Sequence, residues 1–599
     1  MRRFGIVVLL LTLSASVTTA EEEVPPVFSE RIEVELVNVE IWATDKAGRP
    51  VVGLGPEDLV VRHDGEPVEI EFFTEFRDGR PRTEGEGDLP SEAGGPPPNH
   101  LVVYFDELNL HPKNRSRVIE ALRELLDDGA VEPSRTLILR QTRGLFVVAP
   151  FGSGEREIDS ALERLAEESV RSAGSASPFD RAVREIEELW ARSQDTAGSG
   201  TTGLAGVPGA ATLEALAEGG GGGPSGTVGG SGQGSGGGGL GGDACDIMVS
   251  RAEPLIQSLT RERGGQVGAT LERLSEAITF LAGLDGVKTL LYVGDRLESS
   301  PGAEVARLVQ RYCPTSQPGY LMDALAADMS ADFLAVSGHA NANRVTFYAL
   351  QAEGLRAGGS SSASRQGSRR GGGASSEALR QASERGGLLT LSAETGGRVL
   401  SGRNEIEESL HEIVDEMGTY YSLAYLAPAT QDSPRHEIEV ESVAPGIEVR
   451  HRRSYLDKSA DERVREKLLG ALNLGLVSNP LGIRLGAEAI REPVAGRFVL
   501  PLRVLVPAES VMALPGGADV TGSLAVKVIA HDAAAGTLHT VDRQFRVRLP
   551  EQTADQWVPL GVDLERPAGV HTIAVGVVDE VSGRVSYVST TLQIGPESE

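Results

Sequence analysis

The sequence predicts a multidomain α/β plus all-β protein, in which a doubly wound α/β domain is flanked by N-terminal and C-terminal β-sandwich domains. Three observations carry this. At 599 residues the chain is too long for one core. From Leu101 onward, apolar runs such as "LVVYFD" and "VKTLLYVGD" alternate with stretches of helical period, the grammar of βαβ units. Before residue 79 and after residue 481 the pattern is strand alternation punctuated by Gly, Pro and Asp turns.

The elements follow in chain order. Arg2 and Arg3, the apolar Ile6–Leu13 and the small residues Thr18 to Ala20 predict a signal peptide over 1–20, so the mature chain is expected to be exported, to the periplasm or the medium. Residues 27–78 predict the N-terminal sandwich-like domain. "RIEVELVNVEIWATD" alternates, and His63-Asp64-Gly65 marks a hairpin. Residues 79–99, rich in Gly, Pro and Glu, form a linker. The α/β domain covers 100–427; within it "LLTLSAETGGRVL" reads as strand-like and "TYYSLAYLAP" as its last strand. An antiparallel extension at 428–457 pairs "HEIEVESV" with "IEVRHRRSY". A helical connector at 458–478 leads to the C-terminal sandwich at 481–596.

Two insertions interrupt the α/β domain. Gly fills 21 of the 45 positions at 198–242, so this tract is expected to be disordered and to be cut first by protease. Residues 354–376 are Gly/Ser/Arg-rich and read as a mobile insertion. Cys245 and Cys313 are the only cysteines. In an exported chain they predict one disulfide, closing a loop of about 69 residues and worth roughly 4 kcal/mol; two buried free thiols are the other reading.

Charge narrows the function. With 86 Asp+Glu against 57 Lys+Arg, the net charge of −29 repels phosphate backbones and anionic headgroups, so neither nucleic acid nor a membrane surface is expected as partner. Past the leader no run is apolar enough to span a bilayer, so no membrane insertion of the mature chain is expected. No nucleophile elbow, zinc-protease helix or phosphate loop occurs, and the ten His are scattered. A non-enzymatic protein with no resident cofactor is the reading that follows.

Asp106 and Asp295 each end an apolar strand, and open α/β sheets bind ligands beyond their strand ends. The stretches "VELVNVEIWATDKAGRPVVGLGPEDLVVRHDGEPVEI", "VVYFDELNLHPKNRSRVIEALRELL", "FLAGLDGVKTLLYVGDRLE", "ANANRVTFYALQAEGLR" and "YYSLAYLAP" together span about residues 31 to 455. In this order they resemble the exported von Willebrand factor type A (VWFA)-related proteins of the acidobacterial type. That resemblance implies a Rossmann-like sheet bearing a metal-dependent adhesion site. The site's pattern is D-x-S-x-S after the first strand, a Thr on a second loop and a later Asp. Here Asp106 matches, but Leu108 and Leu110 stand where both Ser are expected. Asp295 takes the late position, Thr270 the Thr position, and Asn109 could add an oxygen. The site is therefore expected to be degenerate, with Asp106, Asn109, Thr270 and Asp295 as the residual ligand set. Asp106, Glu107, Asn109, Asp295 and Arg296 would form a binding edge for a protein partner. Arg296 could satisfy Asp295 as a charge-assisted pair; unless it does, the two carboxylates of a metal-free edge should repel, and Asp106→Asn is expected to be neutral or slightly stabilising. Three functions stay open: a binding or scaffold protein, a Mg²⁺-dependent adhesion or assembly protein, and a structural component of the cell envelope.

Overall fold

The computed structural model describes residues 36–82, 99–168, 178–198, 241–314, 319, 327–351, 373–400, 406–428, 434–488, 490–494, 497–516, 519–549 and 556–595. The leader, most of the linker, residues 199–240 of the Gly-rich tract and residues 354–372 of the second insertion lie outside these.

Five strands open the described chain: β1 (Leu36–Asp45), β2 (Leu59–His63), β3 (Glu66–Val68), β4 (Phe72–Arg77) and β5 (Arg80–Arg82). The Asp64-Gly65 turn between β2 and β3 has φ of 50° and 83°, both left-handed, which is why Asp-Gly suits it.

The α/β unit runs through β6 (Asn99–Asp106), α1 (Pro112–Asp127), β7 (Thr136–Gln141), β8 (Leu145–Ala149), α2 (Glu155–Glu167), α3 (Pro178–Gly198) and α4 (Gly241–Leu281). It continues with β9 (Val287–Val293), α5 (Ala303–Tyr312), α6 (Ser330–Ala342), β10 (Val345–Leu350), α7 (Gly373–Thr395), β11 (Val399–Leu400) and α8 (Ile406–Gly418). Its sheet has the order β11-β10-β9-β6-β7-β8, parallel except for β8. The central strands β6, β9 and β10 are buried along nearly their whole length because both faces are covered. Leu101, Val103 and Phe105 pack under α1, α2 and α8. Val102 and Tyr104 face α4, α6 and α7. Helices on both faces make the unit doubly wound.

Two sequence expectations change here. "LLTLS" is the last part of helix α7, not a strand. A short apolar run does not by itself distinguish strand from helix, and Leu388 and Leu391, three apart, share the buried face of α7. The strand Tyr420–Leu426, β12, does not belong to the α/β sheet: it pairs antiparallel with β1 and β4. The N-terminal strands and the 428–457 extension likewise form one unit. Beyond β12 come β13 (Arg435–Ser442), β14 (Ile447–His451) and β15 (Ser454–Leu456). The sheets β14-β1-β12-β4-β5 and β15-β13-β2-β3 enclose a shared core of Val39, Ile41, Val61, Leu423 and Ile438. Only the end of "IEVRHRRSY", β15, pairs with β13, while β14 joins β1 across the core. The sandwich sits at the strand-entry end of the α/β sheet, where Trp42, Phe76 and Tyr420 meet Val287 and the Trp42 indole donates to the Glu416 carbonyl at 3.0 Å.

Helix α9 (Ala460–Leu474) starts at a capping box, Ser459 with Glu462, and ends at the left-handed Gly475. It is a packed element as well as a connector, since Val464, Leu468 and Ala471 share a core with Ile529, Ala574 and Tyr587. The C-terminal strands are β16 (Arg484–Ala487), β17 (Arg491–Val494), β18 (Arg497–Pro507), β19 (Ala513–Gly516), β20 (Asp519–Asp532), β21 (Thr537–Leu549), β22 (Trp557–Pro567), β23 (Gly569–Asp579) and β24 (Val585–Ile594). One sheet is built on β18 with β16, β17 and β22; the other joins β19, β20, β21, β23 and β24. Both contribute to one core, including Val504, Val526, Val562 and Val575.

Cys245 and Cys313 are disulfide-bonded. The bond ties the beginning of α4 to the end of α5 beside a small core of Ile186, Met248, Ile256, Val305 and Val309. No helix among the described residues is long and apolar enough to cross a membrane.

Candidate functional site

The parallel strands β6 and β9 end side by side and carry Asp106 and the Val293–Asp295 turn to one end of the sheet. The Asp295 backbone N–H donates to the Asn109 carbonyl at 2.8 Å, which holds the two loops together. Asp106 is completely buried, at 0% exposure.

Its carboxylate accepts five hydrogen bonds from the protein. Oδ1 takes the backbone N–H groups of Leu108 at 3.0 Å and Asn109 at 3.3 Å. Oδ2 takes the Tyr292 hydroxyl at 2.6 Å, the Asn109 amide at 2.8 Å and the Thr270 hydroxyl at 3.2 Å. The network runs inward. Gln141 Nε2 donates to Thr270 Oγ1 at 3.2 Å, and the Tyr104 hydroxyl donates to Gln141 Oε1 at 2.5 Å. The Tyr104 and Tyr292 rings stack, 6.0 Å apart and 18° from parallel. Burial pushes the Asp106 pKa above its ordinary value, and the bonds from Asn109, Tyr292, Leu108 and Thr270 pull it back. Burial, then the charge of Asp106, push the Tyr292 hydroxyl far above its usual pKa, so it remains a donor.

The structure thus brings Asp106, Asn109 and Thr270 together, with Thr270 in the interior of α4 rather than on a loop. Asp295 turns its carboxylate elsewhere. It accepts from the His111 backbone N–H at 2.7 Å and from Asn114 Nδ2 at 2.9 Å, at the positive end of the α1 dipole. The expected Arg296–Asp295 pair does not form; among the described residues no ion pair joins them. Burial, then the charge of Arg263, draw the Arg296 pKa down, against the opposing charges of Glu298, Glu384 and Asp295. The expected repulsion between Asp106 and Asp295 is likewise answered by separate sets of donors.

Mg²⁺ asks for near-octahedral oxygen ligands at about 2.0–2.1 Å. Leu108 and Leu110 offer no side-chain oxygen, and the groups around Asp106 Oδ2 direct hydrogens into its lone pairs. As arranged, these residues do not fit the ion.

The binding edge also changes. Asp106, Glu107 and Asn109 are 0%, 7% and 7% exposed and cannot face a partner. Glu107 is held inside by Arg115 at 2.9 Å and Arg140 at 3.2 Å. Leu108, at 42% exposure, with His111 and Lys113, is what this end presents to solvent. Sequence reasoning missed Tyr292 and Gln141. Both had a signal: a Tyr within the apolar run "LLYV" needs a partner for its hydroxyl, and a Gln closing "LILRQ" sits at a strand end.

No known family model matches the chain, and no curated protein is found to be similar to it.

Proposed function

We propose that the chain is a non-enzymatic, exported binding or scaffold protein of the von Willebrand factor type A-related kind, whose α/β domain has exchanged its metal for an internal hydrogen-bond network. The observation that carries this reading is the Asp106 carboxylate, saturated by five donors of its own chain. A group so held is structural. Partner recognition then falls to the surface above it, Leu108 with His111 and Lys113, independently of divalent cations. The large negative charge supports a protein partner over nucleic acid.

A Mg²⁺-dependent adhesion protein is the second reading. The meeting of Thr270 with Asp106 favours it, because that pair is what the resemblance implies for a metal site. Affinity capture from the envelope fraction of the native cell, with and without chelator, separates the two. The binding reading expects the same partner retained in both, and lost with Leu108→Asp. Retention abolished by chelator supports the adhesion reading, and retention unchanged by Leu108→Asp removes the proposed surface.

A further inference from the structure

We propose that His63, Asp64 and His436, in the N-terminal sandwich, form a second, separate site that binds a late first-row divalent cation, with Zn²⁺ as its natural probe. The three are far apart in sequence but are gathered by strand pairing. β13 runs antiparallel to β2 with Ile438 opposite His63, and Asp64, the first residue of the turn, stays beside β13 through its bonds to Glu437.

The geometry is that of a prepared ligand set. One ligand atom from each of the three residues lies within 4.8 Å of the other two. Asp64 Oδ2 is 2.9 Å from His436 Nδ1 and 3.4 Å from His63 Nε2. A tetrahedral ion with bonds of about 2.0–2.1 Å sets its ligand atoms roughly 3.3 Å apart, close to both carboxylate–imidazole separations. The other carboxylate oxygen, Oδ1, is fixed by the Glu437 backbone N–H at 2.7 Å, and the Asp64 N–H donates to the Glu437 carbonyl at 3.0 Å. Oδ2 is thereby left to face the imidazoles.

His63 supplies an independent observation. It is 1% exposed, and its Nε2 has no hydrogen-bond partner among the described residues, although it points toward the Asp64 carboxylate. Its other nitrogen, Nδ1, lies 3.2 Å from the Tyr425 hydroxyl. With Nε2 on a metal, Nδ1–H donates to Tyr425, the outer support that orients ligating imidazoles. His436 is fixed by stacking, its ring 5.0 Å from both His63 and Tyr455. The Asp64 side chain is 40% exposed, which leaves an entry path and a fourth position for water. Two imidazoles and one carboxylate suit Zn²⁺, Cu²⁺ or Ni²⁺ and not Mg²⁺ or Ca²⁺. Bound there, the ion would clip together two chain segments that meet in this sheet from opposite ends of the α/β unit.

The test uses the untagged mature chain, stripped with chelator and titrated with Zn²⁺ by calorimetry and by thermal melting. Asp64→Asn is the decisive variant, because Asn tolerates the left-handed turn and the fold is kept. His436→Gln is the second. The proposal expects one saturable site in the wild type with a rise in Tm, and at least a tenfold loss of affinity in each variant. It expects Asp106→Asn to bind Zn²⁺ as the wild type does, and Mg²⁺ to bind nowhere in this set. No saturable Zn²⁺ binding by the wild type, or equal affinity in Asp64→Asn, overturns it.

Discussion

Asp106 accepts at both oxygens, and its neighbours on the Oδ1 side are backbone N–H groups that cannot reverse polarity. Asp106→Asn places its amide NH₂ either against those N–H groups or on the Oδ2 side, where the Asn109 amide still donates toward it and the Tyr292 and Thr270 hydroxyls can accept only by turning their own hydrogens away. The expectation from sequence alone, a neutral or slightly stabilising change, is therefore replaced. The substitution should cost about 1–3 kcal/mol, read by urea denaturation, because a buried donor is left without an acceptor. Glu304 gives a second test at this scale. Burial, then the charge of Glu298, push its pKa up from 4.5 to about 7. The native state thus holds this proton more tightly than the unfolded chain does, so its contribution is full below about pH 4.5 and is lost as pH rises through 7. Glu304→Gln, which cannot ionise, should leave stability unchanged near pH 3.5, below the unfolded value of 4.5, and raise it by up to about 3 kcal/mol near pH 8. An equal effect at both pH values would contradict the assignment. Of the site, sequence showed Asp106, Asn109 and Thr270, since strand ends and motif positions are local. Tyr292 and Gln141 were not picked out, because a hydrogen bond across three strands and a helix has no spacing in sequence.

Among the elements, those set by local chemistry were legible: the buried strands β6 and β9, the Asp64-Gly65 hairpin and the capped helix α9. Those decided by distant partners were not. Tyr420–Leu426 reads as one more buried strand, and nothing in it says that β1 and β4 are its neighbours. Residues 388–392 are apolar enough for either state, and burial against β10 and α6 selects the helix. The Cys245–Cys313 bond was legible because two cysteines allow one pairing. It links α4 to α5 across a sequence separation of 68. Reduction should lower stability by roughly 4 kcal/mol in the chain-entropy model. Intact-mass measurement under non-reducing conditions should find both thiols blocked, and free-thiol labelling of the native protein would contradict the bond.

At the scale of the whole molecule, the N-terminal sandwich and the site lie at opposite ends of the parallel sheet, and α9 joins the α/β unit to the C-terminal sandwich. The α9 contact is close at Gly470, where a Cβ would sit 2.5 Å from the Phe280 carbonyl oxygen of α4. Gly470→Val should force α9 off α4 and cost about 1–3 kcal/mol, with earlier proteolysis between the two units; an unchanged Tm and digestion pattern would show that the contact is not needed. At the opposite end five protein donors fill the Asp106 carboxylate, and under the proposed function they make a cation unnecessary there. The most direct test is thermal melting of the chelator-stripped chain against Mg²⁺ and Mn²⁺, in the wild type and in Asp106→Asn. A bound ion at 100 times its dissociation constant would add about 2.7 kcal/mol, a clear shift in Tm. The account predicts no saturable shift with Mg²⁺ in either protein, and with Mn²⁺ no shift that Asp106→Asn removes. A saturable rise in the wild type that is absent from Asp106→Asn would contradict it.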